Sequence, residues 1–305
     1  MDVRLDWLGV ATFRLTIGDL VVFLDGYLDR VPAAPPVGMA TADVERADYV
    51  LVGHSHFDHL WGVERIAAQT GATVVASHES VRVLSADGVA KGQLVAVAGG
   101  EPVRLSDDVL VRVFPSLHSC VWASGLAPVP ADEECLGDLG VSLQDRQARM
   151  VARVTPPEPL EGDEAAEGAE DVARHVVEAT RTWSDGGALA FVIETPEGSL
   201  IWKDTSGHWS GVLAGVSVDV ALLAAAARPN VDGEPQQGSM ASFLAAEVGM
   251  TGARRVALCH HDDWLPPLTG PFDVDPVRHR LAADVPRADF VELDYLEGRR
   301  IFAGL

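Results

Sequence analysis

A buried-strand pattern, ADYVLVG (47–53), runs directly into HSHFDH (54–59). A fold that accepts this segment must bury the strand and still bring three histidines and an aspartate out together at its end. Along an extended backbone His54 and His56 are two residues apart and point the same way. Two imidazoles on one side can hold one metal ion, and Asp58 and His59, in the turn that follows, can address a second. Histidines this dense repel one another on protonation, and a metal holds them neutral. The plain alternative is a polar loop of hydrogen-bonded histidines.

The surrounding chain reads as a layered α/β structure. VRLDWLG, TFRLTIG and LVVFLDG, within the first 30 residues, are short β-rich runs parted by Gly turns, as in a meander. After residues 47–53 the pattern predicts a helix from Val63 to Thr70, a strand at ATVVAS (72–77) and a helix from Glu79 to Ser85. Strands return between 93 and 116, ending in VLVRVFPS. Further on, GALAFVIET (187–195) and SLIWKD (199–204) form a hairpin around the turn PEG. VDVALLAAA (218–226) is a buried strand, SMASFLAAEVG (239–249) a helix ended by Gly, and RRVALCH (254–260) a strand. A helix near Pro276 to Ala283 and two closing strands, DFVELDY and RRIF, follow. The two ends resemble each other, each a β and then a βα arrangement.

Residues 119–186 differ in texture. ADEECLGD (131–138) is acidic, and PPEPLEGDEAAEGAED (156–171) carries seven acids and no base. Two helices are expected, an Arg-rich one from Leu143 to Val154 and one from Val172 to Trp183 with Val172, Val176, Ala179 and Trp183 on one face. The strand pattern resumes afterwards, so the expectation is a single domain over 1–305 with 119–186 inserted, either a solvated helical decoration or a lid over a pocket.

H-x-H-x-D-H after a strand resembles the signature of the metallo-β-lactamase superfamily, and the resemblance covers about 1–118 and 187–305. It implies a four-layer αββα sandwich of α/β class with one or two metals between the sheets, here with an acidic, partly helical insertion. It also implies further ligands at later strand ends. His118, after VLVRVFPS, resembles the third ligand of the first site beside His54 and His56. Asp204, ending SLIWKD, resembles the carboxylate that bridges two metals. His260, ending VALC, resembles the last ligand of the second site, with Asp58 and His59. Asp25, closing LVVFLD, is similar to an acid that orients a ligand histidine. Lys203 stands where the family commonly has Gly, and it reads as a surface cation without a role. In the doublet His260–His261, strand alternation favours His260 as the ligand. His261, Asp262 and Asp263 are then supporting or proton-handling groups, or a polar loop.

Other residues carry weaker signals. His208, four residues after Asp204, could reach a substrate. His78 fits a helix cap or a pocket wall, and His175 and His279 read as surface positions on helices. Trp61, Trp122, Trp202, Trp209 and Trp264 lie within five residues of a proposed ligand, which favours a partly apolar pocket for a bulky or acyl substrate.

Composition excludes several classes. The 305 residues carry 23 basic and 45 acidic side chains, a formal charge of −22, which opposes nucleic acid and anionic membrane surfaces. The longest apolar run, Val220 to Ala227, is far short of the roughly 18 residues that span a bilayer. The N-terminal residues lack the basic start and long apolar stretch of a secretory signal. Cys120, Cys135 and Cys259 are odd in number and lack C-x-x-C spacing, as expected of free thiols in a reducing, cytoplasmic compartment.

The resemblance implies a hydrolase acting on a small molecule, with two divalent metal ions, zinc first and Mn or Fe also suited to these ligands. The attacking group would be a hydroxide held between the metals, with Asp58 orienting it or passing its proton, and with His261 and His208 the further catalytic candidates. The chain looks most like the ascorbate-phosphate lactonase and N-acyl-phosphatidylethanolamine phosphodiesterase neighbourhood. A lactone or (thio)ester is therefore the first expected substrate class and a phosphodiester the second. A redox di-iron member of the fold would carry Glu where His56 stands, and a non-catalytic member would have lost ligands.

Overall fold

The computed structural model describes residues 2–125, 129–154 and 163–305. Strands β1 (Val3–Trp7), β2 (Phe13–Ile17) and β3 (Leu20–Leu24) form the expected antiparallel meander. Ile17 pairs with Leu20 across a two-residue turn, and Gly18 at φ +59° supplies the left-handed first position such a hairpin needs. Strand β4 (Tyr49–Leu51) then joins β3 in parallel. It is followed by two helices, α1 (Phe57–Leu60) and α2 (Val63–Thr70), the first of which stands where a turn was expected. Strand β5 (Thr73–Ser77), helix α3 (His78–Ala86) and strand β6 (Leu94–Val97) complete a six-stranded sheet in the order β1-β2-β3-β4-β5-β6.

The chain then crosses to a second sheet through β7 (Pro102–Arg104) and β8 (Leu110–Pro115). The inserted region holds α4 (Val121–Ser124), α5 (Leu143–Val154) and α6 (Asp163–Ala179). Next come β9 (Leu189–Thr195), β10 (Gly198–Lys203), β11 (Gly207–His208), α7 (Ser210–Leu213) and β12 (Val220–Ala224). The short pair β13 (Asn230–Val231) and β14 (Glu234–Pro235) joins β11 in a small third sheet. Helix α8 (Met240–Thr251), strand β15 (Arg255–Cys259), helix α9 (Asp275–Asp284) and strand β16 (Asp289–Phe290) end the described elements. The second sheet runs β16-β15-β12-β10-β9-β8-β7. Its β8-β9-β10 part is antiparallel and its β10-β12-β15-β16 part parallel, the same succession as in the first sheet. The two similar halves expected from the sequence are therefore present.

Strand periodicity builds the layers. Leu200 and Trp202 of β10 face the first sheet, packing with residues such as Leu5, Leu15 and Leu51, whereas Ile201 between them faces α8. In β12, Val220 and Leu222 face inward and Ala221 and Leu223 outward in the same way. The outer face of the first sheet, with Val50 and Val74, packs on Val63 and Ile66 of α2 and on Val83 and Leu84 of α3. Three apolar layers between four layers of structure give the αββα sandwich.

Several expectations need correction. Helix α8 continues through Gly249 to Thr251 and stops at Gly252, whose left-handed φ of +65° lets its N–H close on Val248. RRIF is not a strand: Arg299 makes an isolated bridge to Leu5 and a turn follows. Of DFVELDY only Asp289 and Phe290 pair with β15. Helix α6 begins at Asp163, nine residues before the expected Val172, so the acidic run supplies its first turns; residues 155–162 of that region lie outside the described residues. Trp183 is 70% exposed and does not share the buried face of Val172 and Ala179. His78 is exposed at the start of α3, where Ser77 provides the cap, and it forms no pocket wall.

Lys203 is not a surface cation. Its side chain is 2% exposed and its ammonium pairs with Glu247 of α8, itself 1% exposed. His208 Nδ1 lies 2.7 Å from the same Glu247 oxygen, and its ring stacks on Phe243. The carboxylate thus fastens helix α8 to β10 and β11 from behind the strand end that carries Asp204. Removing one member of a buried ion pair leaves a charge without compensation, whereas replacing both by apolar groups is often neutral. Glu247→Leu should therefore lower the urea unfolding free energy by about 3–5 kcal/mol. The double change Lys203→Met with Glu247→Leu should recover most of that loss in the same denaturation series.

Candidate metal centre

Every candidate ligand sits at the C-terminal end of a strand or just beyond it, on the edge where the parallel halves of the two sheets face each other. His54 follows β4, His56 caps α1, and Asp58 and His59 lie on α1. His118 follows β8, Asp204 follows β10, and His260 follows β15. The sheets are stitched together here by the Leu189 N–H bonding the Gly53 carbonyl at 2.8 Å. Gly53 is required by its surroundings, since a Cβ on it would come within 2.0 Å of an Asp204 carboxylate oxygen. The first sheet can approach Asp204 because residue 53 has no side chain.

Donor atoms converge in three groups, His54–His56–His118, His54–His59–Asp204, and Asp58–His59–His260, each with its atoms within 4.8 Å of one another. The structure thus brings together all seven residues expected as ligands. His54 Nδ1 lies 2.5 Å from Asp204 Oδ2, and His54 Nε2 lies 3.1 Å from His56 Nδ1. Asp58 Oδ2 lies 3.2 Å from His260 Nε2 and 3.4 Å from His59 Nε2. Asp204 belongs to the group that links the first to the third, 3.4 Å from His59 Nδ1. Asp25 occupies the expected orienting position: Oδ2 is 2.6 Å from His59 Nδ1, and Oδ1 accepts the Gly53 N–H at 3.0 Å. His118 is turned by a bond between Nδ1 and the Ser119 carbonyl (2.9 Å).

The donor set fits a divalent cation. His59 Nε2, Asp204 Oδ1 and His260 Nδ1 are buried without a hydrogen-bond partner, an arrangement that native interiors otherwise avoid. The rings of His54, His56 and His118 lie 4.6–4.7 Å apart, centroid to centroid. Burial first, and then the neighbouring imidazoles His59 and His118, push His54 well below the ordinary histidine range. The same pair of causes, with His118 and His54 as the neighbours, acts on His56. Both rings are therefore held neutral, the form in which an imidazole can bind a metal. Burial opposes ionisation of Asp58, but His59 and His260 outweigh it and hold the carboxylate well below its usual range. Burial raises Asp25 to about 7 against the pull of His59.

The backbone around the centre is strained. Val10, Asp25 and His260 adopt left-handed conformations at φ +47°, +58° and +59°, a region that side chains other than Gly rarely enter, β-branched ones least of all. His260 therefore reaches Asp58 through a kink at the strand end and not by simple alternation. Its N–H bonds the Val10 carbonyl at 2.6 Å. Asp262 holds this kink in place, accepting from the Val10 N–H (3.0 Å), from the Arg30 guanidinium (2.6 Å) and from the Tyr295 hydroxyl (2.7 Å). Burial alone would raise Asp262, but Arg30 and Tyr295 keep it below the ordinary carboxylate range.

Two of the expected catalytic residues stand apart from the ligand groups. His261 stacks on Trp7, with ring centroids 4.9 Å apart. His208 faces Phe243 and Glu247 in the layer beneath α8. The tryptophans also divide. Trp264 meets the edge of His260 at 5.5 Å, and Trp61 lies against His175 at 6.4 Å. Trp202 is in the core between the sheets, Trp122 lies under Arg146 and Arg149, and Trp209 is 40% exposed. His175, expected on the surface, is half-buried, with Nε2 2.9 Å from the Tyr27 hydroxyl. It lies three residues after Val172, on the same helical face, which was a readable signal; its partner, far away in the chain, was not.

Comparison with known proteins agrees with this geometry. The family described as "Beta-lactamase superfamily domain" matches residues 22–151. A UPF0173 metal-dependent hydrolase of Aeropyrum pernix is 33% identical over 171 residues, covering 50% of this chain and 67% of that protein. One from Caldivirga maquilingensis is 30% identical over 141 residues, covering 45% of this chain and 60% of that protein, so this chain spans less than two thirds of the second relative's length. Among solved structures, Igni18, a metallo hydrolase of Ignicoccus hospitalis, superposes with a TM-score of 0.61 at 14% identity, over 97% of this chain and 96% of that one. Structural likeness at so low an identity establishes the fold alone, but the Aeropyrum protein shares a third of its aligned residues over two thirds of its length, and the chain belongs to the metallo-β-lactamase superfamily of hydrolases.

Proposed function

We propose that the protein is a metal-dependent hydrolase of a small neutral electrophile, a lactone or a (thio)ester, working with two divalent ions, zinc first. The observation that supports this reading most is the convergence of five imidazoles and two carboxylates from four separate segments, the turn and helix after β4 and the ends of β8, β10 and β15. His54, His56 and His118 would hold one ion, and Asp58, His59 and His260 the other, with Asp204 between them. Such ions supply Lewis acidity toward a carbonyl oxygen and ionise water at neutral pH.

The chain's own groups do the rest. Asp58, kept ionised between His59 and His260, is placed to accept a proton at Oδ2 and return it to a leaving group. Asp25 holds the His59 ring in one orientation. His56 and His118 are the partly exposed members of their group, so a substrate meets the centre from their side. No serine or cysteine nucleophile is needed.

The electrostatics favour a neutral substrate over a phosphodiester. Arg30, beside the centre, is committed to Asp262, and Lys203 to Glu247. Arg65 pairs with Asp29, and Arg181 with Asp87. With these cations engaged and a net charge of −22, the four side chains add no clamp for an anionic phosphoryl group to what the ions would supply, whereas a neutral carbonyl needs none.

Metal analysis joined to a panel of lactone, thioester and phosphodiester substrates tests the proposal. Turnover of phosphodiesters with inert lactones would reverse the order of substrates, and full metal occupancy with no turnover would remove the enzyme reading. Asp58→Asn should lower kcat/KM by roughly 10²–10⁴-fold, the range of a lost acid–base group, with the circular dichroism spectrum retained. Chelation should abolish turnover and lower the melting temperature. Restoring zinc to about 100 times its Kd should return about 2.7 kcal/mol of stability, read by thermal unfolding.

A further inference from the structure

Helix α6 reaches the centre from the side of Asp58 and His260. The sides of Val172, His175, Val176 and Ala179 that are not exposed form one face of the helix, while Val177 beside them is 76% exposed. Val172 and Val176 pack into an apolar cluster with Tyr27, Phe57, Trp61 and Trp264. The Tyr27 ring meets Phe57, Trp264 and His175 edge-on at 5.8–5.9 Å. Trp264 in turn touches the ring of His260, and Phe57 lies in the chain between His56 and Asp58. One cluster therefore joins the inserted helix to the walls of the candidate metal centre. Tyr27 and His175 bond each other, Oη to Nε2 at 2.9 Å, so beside the two indole N–H groups the lining is mostly carbon.

The chain beyond α6 is fastened differently. The Ser55 N–H bonds the Asp185 carbonyl at 3.0 Å, and the Ser55 hydroxyl bonds the Ser184 carbonyl at 3.0 Å, between two candidate ligands. Thr182 donates to Glu79 at 2.8 Å. Gly186 and Gly187 follow at φ +71° and +82°. Gly186 passes so close to Ser55 that a Cβ there would meet its hydroxyl at 2.4 Å. The end of the insertion is thus bolted to the H-x-H segment by backbone and side-chain hydrogen bonds. Among the described residues of α6, by contrast, the inward face is Val172, Val176, Ala179 and the His175 ring, which packs on Tyr27, Phe57 and Trp61 and makes one hydrogen bond to Tyr27. Elements held by so few buried contacts open at low free energy.

We infer that the Tyr27–Phe57–Trp61–Trp264 cluster is the recognition site for the apolar part of the substrate, an acyl chain or apolar ring, with α6 as its movable wall and the Tyr27–His175 bond as the latch. The substrate class rests on the hydrolase reading above, whereas the wall and latch stand on the packing alone. A chain entering beside Trp264 displaces Val172 and Val176 from the cluster and packs beneath the helix. A small polar substrate gains nothing there.

Amide hydrogen exchange over residues 171–179 of the full chain, metal-loaded, tests the latch. Tyr27→Phe keeps the ring packing and should speed exchange roughly fivefold, the effect of one lost hydrogen bond. His175→Gln, whose amide can occupy the place of the ring nitrogen, should stay near the parent rate. Unchanged exchange in Tyr27→Phe overturns the latch. Decanoate, added as a probe, should slow exchange in this segment by about threefold or more through binding to the folded form, and acetate should not. Equal effects of the two acids overturn the recognition site. With p-nitrophenyl decanoate and acetate as substrates, filling the cluster by Val176→Trp should cut the decanoate-to-acetate ratio of kcat/KM about tenfold or more. Decanoate protection without hydrolysis of any ester would support the cluster and refute the hydrolase. Hydrolysis without chain-length preference or protection would support the hydrolase and refute the cluster.

Discussion

Imidazoles packed ring against ring in a dry interior constrain everything around them. His54 meets His56, His59 and His118 at centroid separations of 4.0–4.7 Å. Protonating several of them would place like charges side by side with little water to screen them. Leaving them neutral strands their lone pairs, as the unpartnered atoms of His59, His260 and Asp204 show. A cation resolves both problems at once, because it needs neutral imidazoles and takes up their lone pairs. The carboxylates Asp58 and Asp204 then balance its charge, as the donor set of a cation site requires.

Holding that cluster requires both sheets to end at one place. The first sheet comes close to Asp204 only because Gly53 is bare. The second sheet delivers His260 through a left-handed kink, and the corner after β1 answers with another at Val10. Such conformations persist when the surroundings over-determine them. Asp262, bonded to Val10, Arg30 and Tyr295, ties the first corner of the chain to its last loop and supplies that determination. Strain here lies at Val10, Asp25 and the candidate ligand His260 itself, while the other candidate ligands rest on strand ends and one short helix without positive φ.

Much of this was legible in the residues. H-x-H-x-D-H after a buried strand pointed to four candidate ligands, because a strand's abrupt polar end is a local property, and the resemblance added His118, Asp204 and His260; the structure gathers all seven. Helices α2 and α5 matched the expected spans, α2 through its buried Val63, Ile66 and Ala67 and α5 as a run of residues rich in helix formers without Gly or Pro. What escaped depends on partners distant in sequence. Lys203 read as a surface cation since nothing near it announces Glu247, 44 residues away. Gly249 read as a helix stop, though three residues on Gly252 offers the same signal and the apolar face continues to it. RRIF has the composition of a strand but pairs only at Arg299.

The insertion shows how a decoration can become part of a site. It leaves the core immediately after His118 and returns onto Ser55, between His54 and His56, so both of its ends are set by candidate ligands. A segment anchored at two such points need not carry ligands to influence the chemistry. Among the described residues of α6, Arg174, Val177 and Glu178 are exposed while Val172 and Ala179 are buried, so this part of the helix is amphipathic. Its charged side faces water, and Val172 and Val176 pack against the aromatic side chains beside the centre.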